Sequence, residues 1–149
     1  HTATNGVMGA APEGYVLTSY EATLASAERA RVVPGAAAAS ELVRRIRGQA
    51  RPRMPFDGPP YLGDDEVALI TQWVEQGARS AEGKRAAVPS GARVRLHGTL
   101  RGAWQLDTLA LTVTPSTRIQ ASPSGGEYVE VRGELRQDGS VVAQRIRRR

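Results

Sequence analysis

Cysteine is absent from this 149-residue chain, which excludes a disulfide framework, a thiolate metal site and a thiol nucleophile. Histidine is scarce: only His1 and His97 occur, with no pair at helical spacing. A zinc site or a serine triad would need unusual partners, and no enzymatic activity is expected. Aromatic residues make up 5%, too few for the stacking platforms that hold single-stranded nucleic acid. No apolar run reaches the roughly eighteen residues of a membrane-spanning helix, and the first residues lack a signal-peptide pattern. The chain is therefore expected neither to cross a membrane nor to carry its own address.

What is present is ordinary for a folded protein, with 40% hydrophobic and 23% charged residues. The net charge of +5 is unevenly placed. Residues 1–83 hold eight Lys/Arg against ten Asp/Glu, whereas residues 84–149 hold twelve against five. A module so basic can meet nucleic acid, anionic lipid or an acidic protein face. The plainer reading is a solvated surface with an arginine-rich tail, Arg145-Ile146-Arg147-Arg148-Arg149, and nucleic acid is not expected.

Apolar spacing changes where the charge changes. The segment from Arg79 to Gly91 has small and charged residues and closes on Pro89-Ser90-Gly91, so it reads as a linker. Before it the period is helical. Thr18-Ser19-Tyr20-Glu21 has capping-box form and predicts a short helix to about Ser26. Ser40 opens a second helix, Glu41 to Ile46, with Gly48 as a stop. A third follows Gly63, with Asp64, Asp65 and Glu66 at the positive end of its dipole, a stripe of Val67, Ile70 and Val74, and Gly77 at its end. Between the last two, Pro52, Pro55, Pro59 and Pro60 exclude a helix.

After the linker the period is two. Val94 to Leu100 and Val129 to Leu135 look like internal repeats, with Gly98 and Gly133 at equivalent places, where a strand glycine marks a bulge or sharp bend. Asp138-Gly139 supplies a hairpin turn. Five to six short strands predict a small, partly open barrel of OB-like type.

The runs Gly14 to Glu21, Val32-Val33-Pro34-Gly35, Ser40 to Ile46, Pro52-Arg53-Met54-Pro55 and Ala68 to Ala78 resemble, in order, a family of planctomycete-like bacterial c-type cytochrome domains. The resemblance covers the first half of the chain, and it implies a haem held by a Cys-x-x-Cys-His motif. His1 stands where that motif's histidine falls, and Met54 matches the second axial ligand of the family's Pro-x-Met-Pro loop. Neither thioether-forming cysteine is present. The plainer reading makes Met54 an adaptable apolar residue and His1 an ordinary terminus. His97, on a strand with polar neighbours, reads as a surface residue. Residues 91–149 resemble small barrel domains of unknown function, which implies no chemistry.

The expectation is thus an α+β chain, a cytochrome c-like helical domain at residues 1–83 followed by a small basic OB-like barrel at residues 91–149. As it stands it would bind no cofactor, and large side chains such as Phe56, Tyr61 and Trp73, or a partner subunit pressing into the cleft, would fill the volume a haem vacates. The resemblance implies a haem-free structural subunit at the periplasmic face of a membrane electron-transfer complex, respiratory or photosynthetic. That subunit would lie peripheral to the membrane, with the barrel docked on acidic protein or lipid. The alternative is an electron carrier whose cysteines lie upstream of His1, with haem c ligated by His1 and Met54.

Overall fold

The computed structural model describes residues 15–149; the expectation for His1 lies outside the described residues. Three helices, α1 (Tyr20–Thr23), α2 (Glu41–Ile46) and α3 (Asp64–Glu75), come first. A 3-10 turn at Ala37–Ala39 precedes α2. Five strands follow: β1 (Arg93–Arg101), β2 (Gln105–Leu106), β3 (Leu109–Gln120), β4 (Tyr128–Leu135) and β5 (Val141–Arg148).

Local chemistry accounts for the helix ends. The Ala22 N–H donates to Ser19 Oγ at 3.1 Å, so Ser19 rather than Thr18 caps α1. Glu66 Oε1 accepts from the Gly63 N–H at 3.0 Å, closing the start of α3. Ser40 does not cap α2 through its side chain. Its hydroxyl is buried, accepting from the Val33 N–H at 2.8 Å and donating to the Ala36 carbonyl at 3.0 Å.

The strands close into a barrel in the order β1-β2-β3-β5-β4, with β3 parallel to β5 and the other pairs antiparallel. A partly open barrel was expected; β2, only two residues long, completes the ring. Period-two alternation sends Val94, Leu96, Leu100, Val129, Val131, Leu135, Val141, Ala143 and Ile146 into one buried cluster. Strict alternation along β5 would put residue 145 inside with 141 and 143. A register shift opposite Arg132 and Gly133 resets the phase, so that Ile146 is buried and Arg145 pairs with Arg132 on the outer wall. Gly133 sits at that shift, where a Cβ would lie 2.6 Å from the Val142 carbonyl oxygen. Gly98 marks no shift, since its pairing with Val129 is regular. A Cβ there would instead collide with the Arg44 guanidinium and the Asp107 carboxylate.

The expected α+β arrangement, with a cytochrome c-like helical domain ahead of the barrel, is overturned. Among the described residues the molecule is mostly β-barrel, and the three helices are short. α1 buries no residue, and α3 buries only Val74. The physical reason lies at β1. Because β2 is so short, most of the β1 edge facing away from β4 has no strand partner among the described residues, and the segment before β1 packs there. Ala30 N–H donates to the Arg93 carbonyl at 2.8 Å, and Arg44 Nε donates to the His97 carbonyl at 3.0 Å. Ala30, Val33 and Ala39 join the barrel's own core cluster. Val32, Ala37, Val43, Val74 and Ala78 form a second, smaller cluster.

Phe56 and Tyr61, expected among the side chains filling a vacated haem volume, do not pack inward. Phe56 is 75% exposed and Tyr61 also faces solvent. Trp73 is half-buried, edge-on to Tyr20, and donates through Nε1 to the Arg79 carbonyl at 3.0 Å.

Candidate functional site

The pairing of the two sequence repeats builds the most distinctive surface. β1 and β4 run antiparallel with Arg95 opposite Arg132 and His97 opposite Glu130. β5 then places Arg145 beside Arg132 and Arg147 beside Glu130. β3 continues the rows with Arg118 beside Arg145 and Gln120 beside Arg147. Four arginines, Arg95, Arg132, Arg145 and Arg118, therefore stand side by side on four adjacent strands. Arg118 reaches its place through a break in β3 pairing between Val113 and Arg118. Pro115, lacking an N–H, falls in that break, and Thr117 Oγ1 bridges it by donating to the Ala143 carbonyl at 2.6 Å.

Glu130 anchors the row from the neighbouring position, only 2% exposed. Its Oε1 accepts from Arg132 Nε at 3.0 Å and from Arg145 Nη2 at 3.1 Å. Its Oε2 lies 3.2 Å from His97 Nε2 and 3.7 Å from Arg95 Nε. Burial works to raise the Glu130 pKa, but the hydrogen bonds and charges of Arg145 and Arg132 outweigh it and hold the carboxyl at about 2.

His97 is 5% exposed, which corrects its reading as a surface residue. The Tyr128 ring stacks against it at 6.0 Å. Burial, reinforced by Arg45, lowers its pKa against the pull of Glu130, so the imidazole is neutral at pH 7. Its Nε2 faces Glu130, and Nδ1 has no hydrogen-bond partner among the described residues. Tyr128 has a second partner. The Arg51 guanidinium lies 4.5 Å from its ring centre, and the Arg51 N–H donates to its hydroxyl at 2.8 Å.

Met54, the residue singled out as a candidate haem ligand, is half-buried between α2 and α3, and its N–H donates to the Arg45 carbonyl at 3.0 Å. Its pairing with His1 lies outside the described residues. Among the described residues no three metal-ligating side chains gather, and no helix is long and apolar enough to cross a membrane.

Residues 95–147 match the family described as Domain of unknown function (DUF5666). This stretch begins in β1 and ends in β5, so it holds all four arginines of the row together with His97 and Glu130. No cytochrome c family matches the chain, which overturns the cytochrome resemblance of the first half together with the absence of a cytochrome-like helical domain. No curated protein and no solved structure matches it.

The arginine row escaped the sequence reading. Pairing Val94 to Leu100 with Val129 to Leu135 centre to centre would set Arg95 against Glu134 and His97 against Arg132; the actual register is offset by two residues, which brings Arg95 to Arg132 and His97 to Glu130. The contributions of β3 and β5 were hidden as well, because each depends on a register shift.

Proposed function

We propose that this protein is a non-catalytic docking subunit that binds an acidic protein partner through the outer wall of its barrel. The observation that supports this reading is the row Arg95-Arg132-Arg145-Arg118, in which one buried carboxylate, Glu130, serves several guanidiniums. Such a cluster of fixed positive charge raises the rate of encounter with an acidic face. Nucleic acid suits the wall less well, since the Tyr128 ring is already engaged by His97 and Arg51. The narrower role at the periplasmic face of an electron-transfer complex drew its support from the cytochrome resemblance, and the barrel wall supports only the coarser one.

The test is a titration of the full chain with a short polyglutamate peptide at two salt concentrations. Screening shortens from about 30 Å at 0.01 M salt to about 8 Å at 0.15 M. Binding should be measurable at low salt and weaken steeply as salt rises. Absence of binding at low salt, or indifference to salt, would refute the docking reading.

A further inference from the structure

We infer that the arginine row is a binding site for an extended acidic peptide segment, one that crosses the barrel strands and lays alternate carboxylates along the four guanidiniums. This rests on the docking reading above and narrows it from a general electrostatic face to a defined site and ligand.

Three features carry the inference. First, the wall already binds a carboxylate. Glu130 Oε1 accepts one charge-assisted hydrogen bond from Arg132 Nε and one from Arg145 Nη2. A guanidinium has five N–H donors, so this inner ligand orients Arg132 and Arg145 without exhausting their donors. Arg132 and Arg95 keep 49% and 32% of their side-chain surface exposed, and Arg118 is exposed as well.

Second, the row curves. It runs over four of the five strands of a closed barrel, so its two ends face different directions. A flat bilayer or a rigid planar face meets only part of it. A flexible extended chain can follow all of it.

Third, the spacing fits. Neighbouring strands lie about 4.8 Å apart at the backbone, and side chains leaving a convex wall diverge outward. The guanidiniums therefore approach the roughly 6.7 Å repeat of alternate residues in an extended chain.

The experiment measures affinity of the full chain for a flexible peptide with glutamate at alternate positions, beside phosphatidylserine vesicles as the competing anionic surface. Arg118→Gln and Arg132→Gln remove exposed members of the row, and Arg101→Gln and Arg136→Gln remove exposed arginines outside it. Each row variant should weaken peptide binding about tenfold, the worth of one charge-assisted hydrogen bond. Each control should change it by less than about twofold, as for an isolated surface charge. Thermal melts of all four variants establish that the fold is retained. Equal losses in row and control variants would overturn the site while leaving the docking reading intact. Row-dependent binding that favours vesicles over the peptide would overturn the peptide as ligand. Failure of the unaltered chain to bind either probe at low salt would remove both readings.

Discussion

Glu130 is almost out of contact with water yet ionised, because Arg132 and Arg145 donate to the same oxygen and Arg95 and His97 stand beside the other. That arrangement ties stability to pH. In the unfolded chain a glutamate takes up a proton near 4.5, whereas in the fold Glu130 does so only near 2. The unfolded state thus binds the extra proton within this window. The contribution is fully present above pH 4.5 and is lost as pH falls toward 2; a shift of this size corresponds to about 3 kcal/mol. His97 acts in the same direction at higher pH. Unfolded, it is protonated below about 6.5; folded, burial and Arg45 keep it neutral to lower pH, so stability begins to fall once pH drops below 6.5. Urea midpoints measured from neutrality downward should therefore decline in two stages. His97→Gln should abolish the upper stage and keep the lower. An unaltered chain whose midpoint is flat between pH 6.5 and 5 would contradict the assignment of a neutral, buried His97.

α2 is where local and long-range information part company. Its span from Glu41 to Ile46 is readable from Leu42, Val43 and Ile46 sharing a face and from Gly48 beyond it, because helix spacing is a property of neighbours in sequence. α3 is readable for the same reason. What α2 does is not, since Arg44 looks like one more charge on a helix surface. In the fold its side chain is fully buried, donating to the Ala38 carbonyl at 3.0 Å, to the His97 carbonyl 53 residues away and to the Asp107 carboxylate 63 residues away. Burial lowers the Arg44 pKa, and the Asp107 charge and hydrogen bond oppose that shift. Gly98 belongs to the same arrangement, for only a residue without a Cβ leaves the guanidinium its path. The sequence shows the glycine but not its partner. The barrel face was legible by the same logic in reverse: alternation identified Leu96 and Val131 as core, while the phase reset that turns Arg145 outward was hidden in a register shift. Removing one partner of a buried pair leaves the other charge uncompensated, so Arg44→Met should cost about 3–5 kcal/mol of stability. Adding Asp107→Asn in that background should cost little more. A double-mutant cycle by urea unfolding checks this coupling, and strictly additive losses would show that the two side chains act independently.

The segment joining α3 to β1 divides the charge of the chain but not its core. Lys84 and Arg85 lie on it and are exposed, so trypsin should cut there early in a limited digest. The contacts that cross this segment are extensive. Ala30, Val33 and Ala39 share a buried cluster with Val94, Leu96 and Leu135. Arg44 is held by the His97 carbonyl and Asp107, and the Arg51 N–H is held by the Tyr128 hydroxyl at 2.8 Å. A Cβ at Gly139 would lie 3.3 Å from that of Ala36, so the hairpin between β4 and β5 also packs on the earlier segment. Separating the two pieces would expose this apolar surface and part the buried Arg44 charge from Asp107, a larger penalty than a single cut in an exposed connection imposes. The nicked protein should therefore stay together in native buffer, eluting from a sizing column as one species and unfolding in one transition. Dissociation into separately folded fragments would mean that the β1 edge is stable without the segment that now covers it. The proteolysis gel and the elution profile, taken from the same digest, distinguish the two outcomes directly.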